Sequence, residues 1–136
     1  RFHLLKDFSE KYDARVRGRI QALKPGFYTR MGAAIRHSTR VLQDQPAEKR
    51  LLLVLTDGKP NDIDHYEGRY GIEDTRHAVL AAREAGMTVF CVTIDKKAAE
   101  YLPYVFGTQG CVVVENANDL PRLLPRLYMQ LTRRDH

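Results

Sequence analysis

Five consecutive apolar residues, Leu51 to Leu55, run directly into Thr56-Asp57-Gly58. A strand with no polar position has no face to offer to water, so this run reads as a central strand covered on both sides, as in a parallel sheet. Parallel neighbours need long crossovers, usually helical, and the rest of the chain supplies them. Thr88 to Ile94 reads as a second buried strand and Val112 to Glu115 as a third. Between the first two, Glu73 to Ala85 has acids in its first turn and small residues in its middle, with Gly86 where a left-handed terminating residue belongs. Upstream, Phe2 to Leu5 could form a short strand. Ser9 can cap a helix on which Tyr12, Val16, Ile20 and Leu23 recur, and Pro25-Gly26 ends it. Thr29 opens a further helix, with Met31, Ala34, Ile35, Ser38, Val41 and Leu42 on one face. Gln43 to Lys49 and Lys59 to Ile72 read as polar loops, Lys96 to Tyr101 as a short helix, and Leu102 to Gly110 as a loop. Leu120, Leu124, Leu127 and Leu131 mark a last amphipathic helix whose regular part is expected to begin near Pro125. Strands alternating with helices imply an α/β domain with right-handed crossovers.

The 136 residues suit one domain, residues 1–136, with a core that needs no staples. No apolar run approaches the ~20 residues needed to span a bilayer, so membrane insertion is not expected. The first residues lack the apolar core and cleavage site of a signal peptide. Cys91 and Cys111 both sit in apolar, strand-like runs and read as buried reduced thiols rather than a disulfide framework. Together these features favour a cytoplasmic setting. The net charge of +5 would suit an acidic partner. The basic residues are nevertheless dispersed, Arg133 and Arg134 suit a helix carboxyl end, and no nucleic-acid motif appears, so nucleic acid is not the expected partner.

Ligands of open parallel sheets bind beyond the carboxyl ends of the strands, which makes Asp57 the leading candidate for a site residue. From the residues alone, Asp57 could equally be a turn aspartate bonding backbone N–H groups before Gly58. Other constellations are weaker. Asp62, Asp64 and Glu73 fall at positions of an EF-hand count, but Tyr66 and a displaced Gly68 break the motif. His37, His65 and His77 have no companion at ligand spacing. Tyr66, Arg69 and Tyr70 could anchor an interface from the Lys59–Ile72 loop or pack that loop onto the sheet.

The segments FYTRMGAAIRHSTRVL and RLLLVLTDGKPNDIDHYEGRYGIEDTRHAV resemble the second half of a von Willebrand factor A-type (VWA) domain. The resemblance implies a three-layer, Rossmann-like fold with a mainly parallel central sheet. It also implies a metal-ion-dependent adhesion site made from an Asp-x-Ser-x-Ser element, a helix-start threonine and an aspartate after a strand. Thr29 matches the second element and Asp57 the third. The first has no match, since Ser9 and Ser38 are the only serines. The N-terminal part of the domain is therefore expected to lie outside this chain, with a strand missing between Phe2–Leu5 and Leu51–Leu55. Mg2+ is expected in the intact domain and weakly or not at all here. In such sites a partner's acidic residue completes the coordination.

DGKPNDIDHYEGRYGIEDTRHAV, VTIDKKAAEYLPYVFG and LPRLLPRLYMQL narrow the resemblance to the NorD/CbbO group. What this implies is a protein-binding module rather than an enzyme. It would act with a separate MoxR-type AAA+ ATPase of the NorQ or CbbQ kind on a target enzyme, either nitric oxide reductase or, in the CbbO-like alternative, RuBisCO. The motifs lean to the first. A metal-dependent phosphoryl-transfer enzyme with Asp57 as nucleophile is the competing class. No second carboxylate stands near Thr56-Asp57-Gly58-Lys59, and no P-loop, GxSxG or GxGxxG occurs.

Overall fold

The computed structural model describes residues 4–21, 31–56 and 65–133. Its elements are α1 (Ala14–Gln21), α2 (Met31–Gln43), β1 (Leu51–Thr56), α3 (His65–Glu84), β2 (Thr88–Thr93), a 3-10 turn (Lys96–Glu100), α4 (Leu102–Phe106), β3 (Cys111–Val113), a second 3-10 turn (Ala117–Asp119) and α5 (Leu120–Thr132). The strands form a parallel sheet in the order β1-β2-β3. Side chains alternate across β2. Val89 and Cys91 join Met31, Ile35, Val79, Ala82, Leu102 and Phe106 in a core under α2, α3 and α4. Phe90 and Val92 meet the leucines of α5 on the other face. The result is a three-layer α/β fold.

The strand buried on both faces is β2, whose residues from Val89 to Thr93 are all buried. The more uniformly apolar β1 is only half-buried, and Leu55 is 55% exposed. This corrects the expectation of a central β1. Among the described residues β1 pairs on one side only, with β2, in register from Leu51↔Thr88 to Thr56↔Thr93. The expected strand at Phe2–Leu5 is not seen at Leu4 and Leu5, and Phe2 lies outside the described residues. Arg19 instead holds the segment to α1, donating to the Leu5 carbonyl at 3.0 Å and to Glu10 at 2.9 Å.

Helix boundaries follow the backbone groups that satisfy their ends. Asp13, not Ser9, caps α1, its Oδ1 accepting from Arg15 N–H and Val16 N–H. Gly86, at φ +89°, ends α3 as expected. Met87 N–H reaches the Ala82 carbonyl and Gly86 N–H the Arg83 carbonyl, the paired bonds of a Schellman termination. Three loop or boundary expectations are corrected. Helix α3 begins at His65, so the polar loop is shorter than Lys59–Ile72. Gly68 and Gly71 hid those turns, since each costs about 1 kcal/mol relative to Ala in a helix. Leu102–Phe106 forms α4 inside the expected Leu102–Gly110 loop, with Pro103 in its first turn. Helix α5 runs from Leu120 through Pro125. One backbone bond is lost there, while the half-buried Leu120, Leu123, Leu124, Leu127 and Leu131 pack on the sheet.

Cys91 is buried and Cys111 half-buried, both free thiols in register on adjacent strands. Burial pushes the Cys91 thiol up to about 12. Native protein at pH 8 is therefore expected to leave Cys91 unlabelled by a maleimide until denaturant is added, read by mass spectrometry. Prompt native labelling would mean that β2 is not the closed centre of the sheet.

An edge strand rich in leucine is a template for association. The chain in isolation is expected to self-associate through β1, and Leu55→Lys to shift it toward monomer in light scattering. A wild-type chain as monomeric as the variant would show that the edge is harmless.

Candidate metal centre

A seven-residue connection, 44–50, returns the chain from α2 to β1. Met31 and Ile35 of α2 share one core with Leu52 and Val54 of β1. Helix α2 thus begins at the end of the sheet where β1 finishes, and α3 begins at the same end after the 57–64 connection. Thr29 stands two residues before Met31, and Asp57 one residue after Thr56. Both lie outside the described residues, as do Asp62 and Asp64, so their separation is not part of the described geometry. The fold does bring to one end the two elements that carry them, the start of α2 and the end of β1.

The described residues at this end form a tight helix–helix clamp. A Cβ placed on Gly32 would lie 2.3 Å from Asp74 Oδ2. Glycine is what lets α2 approach α3 so closely, three residues after Thr29. The clamp is closed by Arg36, whose Nη2 donates to Asp74 Oδ1 at 2.7 Å and to the Asp74 carbonyl at 3.2 Å. The Asp74 hydrogen bond raises the Arg36 pKa further above its ordinary value. Thr75, buried beside them, bonds back to the Gly71 carbonyl. At the neighbouring strand end, Thr93 Oγ1 accepts from Asp95 N–H, and Asp95 caps the 3-10 turn through Lys97 N–H.

The acids expected at the start of α3 therefore lie mid-helix with partners of their own. Asp74 pairs with Arg36, and Glu73 accepts from the Tyr104 hydroxyl, a bond that raises the Tyr104 pKa. Arg76 stacks on the Tyr104 ring at 4.7 Å. Glu73 is thus engaged with α4. Tyr70 is 70% exposed on α3, and His77 is exposed on the same helix, as expected for a surface histidine. His37 is likewise exposed, on α2. Among the described residues no three His, Cys, Asp or Glu side chains cluster as metal ligands would.

Mg2+ takes about six oxygens in near-octahedral geometry and usually keeps several waters. Thr29 and Asp57 offer one side-chain donor group each, and the chain holds no paired serines to add. The described residues assemble no such set of oxygen donors.

The chain belongs to the von Willebrand factor type A domain family, whose model matches residues 4–123. It is 54% identical to Protein NorD of Brucella melitensis across 96% of the chain and 21% of that protein. It is 56% identical to Protein NorD of Stutzerimonas stutzeri across 85% of the chain and 19% of that protein. An uncharacterized protein of Pseudomonas aeruginosa is 61% identical across 98% of the chain and 22% of its own length. The chain thus spans about a fifth of the length of the curated relatives it matches. Within the type A family its sequence is NorD-like. No solved structure matches it.

If the start of α2 and the end of β1 form one site, a Thr29→Cys/Asp57→Cys variant should be bridged within the molecule by a short bismaleimide. Peptide mapping would show the link. Failure to bridge while both thiols label singly would place the two residues apart and end the metal-site reading.

Proposed function

We propose that this chain is the protein-binding module of a NorD-like protein, acting with a MoxR-type AAA+ ATPase of the NorQ or CbbQ kind to activate or mature nitric oxide reductase. The observation that carries the reading is the 54% identity to Protein NorD over 96% of the chain, on a fold in which Asp57 immediately follows the last residue of β1. Thr29 and Asp57 are the proposed metal-facing residues. The ion would be Mg2+, with further oxygens from water, from a partner carboxylate and from an Asp-x-Ser-x-Ser element outside these residues. A hard cation with an open position would present itself to an acidic side chain of the partner, and this would make recognition depend on metal. The role is binding rather than turnover. Among the described residues no helix is long and apolar enough to cross a membrane, and we place the module in the cytoplasm.

Asp57→Ala in the full-length protein tests this. Nitric oxide reductase activity in cells should fall to near the level without the protein. The thermal midpoint should move little, since a residue beyond the end of a strand contributes little to the core, and surface changes usually stay within about 0.5 kcal/mol. A variant that lost most of its stability would make Asp57 a structural turn residue. Phosphatase turnover with Mg2+ that vanishes in Asp57→Asn would favour the enzyme instead.

A further inference from the structure

The amino ends of the strands, opposite the end that carries Thr56, hold an open groove of about 560 Å3. Arg83 of α3, Phe90 of β2, Thr108, Gln109 and Leu131 of α5 line it. The groove exists because β3 is short. The first β2–β3 pair is Cys91↔Cys111, so no β3 residue stands beside Thr88 to Phe90. Thr88 N–H bonds toward β1, to the Arg50 carbonyl, and Cys91 N–H bonds toward β3, to the Gly110 carbonyl. Val89, two residues before Cys91, shares its direction. Arg83 meets the Val89 carbonyl, its Nη2 donating there at 3.1 Å and to the Phe106 carbonyl at 2.6 Å.

Both acceptors are neutral. Among the described residues no carboxylate lies within ion-pair distance of Arg83. A guanidinium has five N–H donors, and these two bonds use those of Nη2 alone. A partly desolvated cation without an anion is costly, and burial lowers the Arg83 pKa accordingly. The turn beside it is fixed in place. Gly107 has φ +85°, and Gly110 lies so close to the Phe106 carbonyl that a Cβ would come within 2.0 Å of it. Thr108 and Gln109, between those glycines, are exposed at the rim of the groove.

We propose that this groove binds an acidic peptide segment of a partner protein, with a Glu or Asp carboxylate as the counter-ion of Arg83. A carboxylate oxygen can accept charge-assisted bonds from the Nη1 and Nε donors that the two carbonyls leave open. Thr108 and Gln109 offer neutral hydrogen bonds at the rim, and Phe90 and Leu131 offer an apolar wall for flanking side chains. The groove is open rather than enclosed, which suits a chain laid across it more than a small molecule that must be mostly engulfed. The net charge of +5 works in the same direction. This surface is independent of the Thr29/Asp57 reading and lies at the other end of the sheet.

The test uses the full chain and a short fluorescein-labelled peptide, acetylated and amidated, with one central glutamate between valines. Its glutamine counterpart is the control. The glutamate peptide should bind saturably, about tenfold tighter than the glutamine peptide, and weaken with added salt. Gln109→Glu places a like charge at the rim without touching the core, and should reduce affinity about tenfold at an unchanged melting temperature. Arg83→Lys keeps a charge but offers fewer donors, and should also weaken binding. Equal binding of the two peptides, no loss in Gln109→Glu, or no saturable binding would overturn the proposal. So would displacement of the peptide by duplex DNA at equal strength from wild type and Gln109→Glu, which would mark a diffuse polyanion effect.

Discussion

The fold depends on burying β2 from both sides at once. Its alternating side chains serve two separate cores, Val89 and Cys91 under α2, α3 and α4, and Phe90 and Val92 under α5. A fully buried strand must satisfy its backbone through neighbouring strands. The parallel ladder with β1 on one side and the shorter one with β3 on the other do this. Where β3 has not yet begun, a side chain substitutes for a strand, and Arg83 takes the Val89 carbonyl. The same guanidinium takes the Phe106 carbonyl at the end of α4. One cation thus ties α3, β2 and α4 together.

The alternation of strands and helices was legible in the sequence because it rests on local pattern. Leu51–Thr56 and Thr88–Thr93 form strands, and Gly86 adopts the positive φ that its position required. Relative burial was not legible. β1 is the more apolar strand by sequence, yet β2 is the one covered, because coverage depends on which strand has neighbours on both edges. The early turns of α3 were hidden by glycines and by the lack of an apolar stripe. Helix α4 was hidden by its length, since Leu102–Phe106 is too short to show a helical period.

The candidate site was legible as two residues and as an end of the sheet, and no further. Thr29 and Asp57 were picked out by resemblance and by the rule for parallel sheets, and the fold places their flanking elements together. What holds those elements was invisible. Arg36 and Asp74 lie 38 positions apart, and nothing local in the sequence marks them as partners. Gly32 gave a faint signal, a glycine in the first turn of an otherwise favourable helix. Its meaning, close approach to Asp74, emerges only with α3 in place. An exposed ion pair contributes little to stability by itself. The Arg36 pair is half-exposed, and its value lies in fixing α2 against α3 just after Thr29.

The strand that leads to Asp57 is also an edge strand, paired on one side only among the described residues. The two facts are connected. A residue one step beyond a strand end takes its direction from that strand, and a strand paired on one side is free to twist and fray more than one paired on both. Unmade backbone bonds cost about 1–3 kcal/mol each when buried, so a chain segment that pairs with the open edge of β1 would gain several such bonds. It would also end beside Asp57 if it ran parallel to β1. Such a segment would stiffen the site and stand next to it, supplying oxygen ligands from its own carboxyl end. If Thr29 and Asp57 hold Mg2+ as proposed, completion of the sheet and of that site would be one event, and metal affinity would measure strand pairing. By linkage, Mg2+ at the site would strengthen the pairing by the same factor by which the pairing strengthens Mg2+.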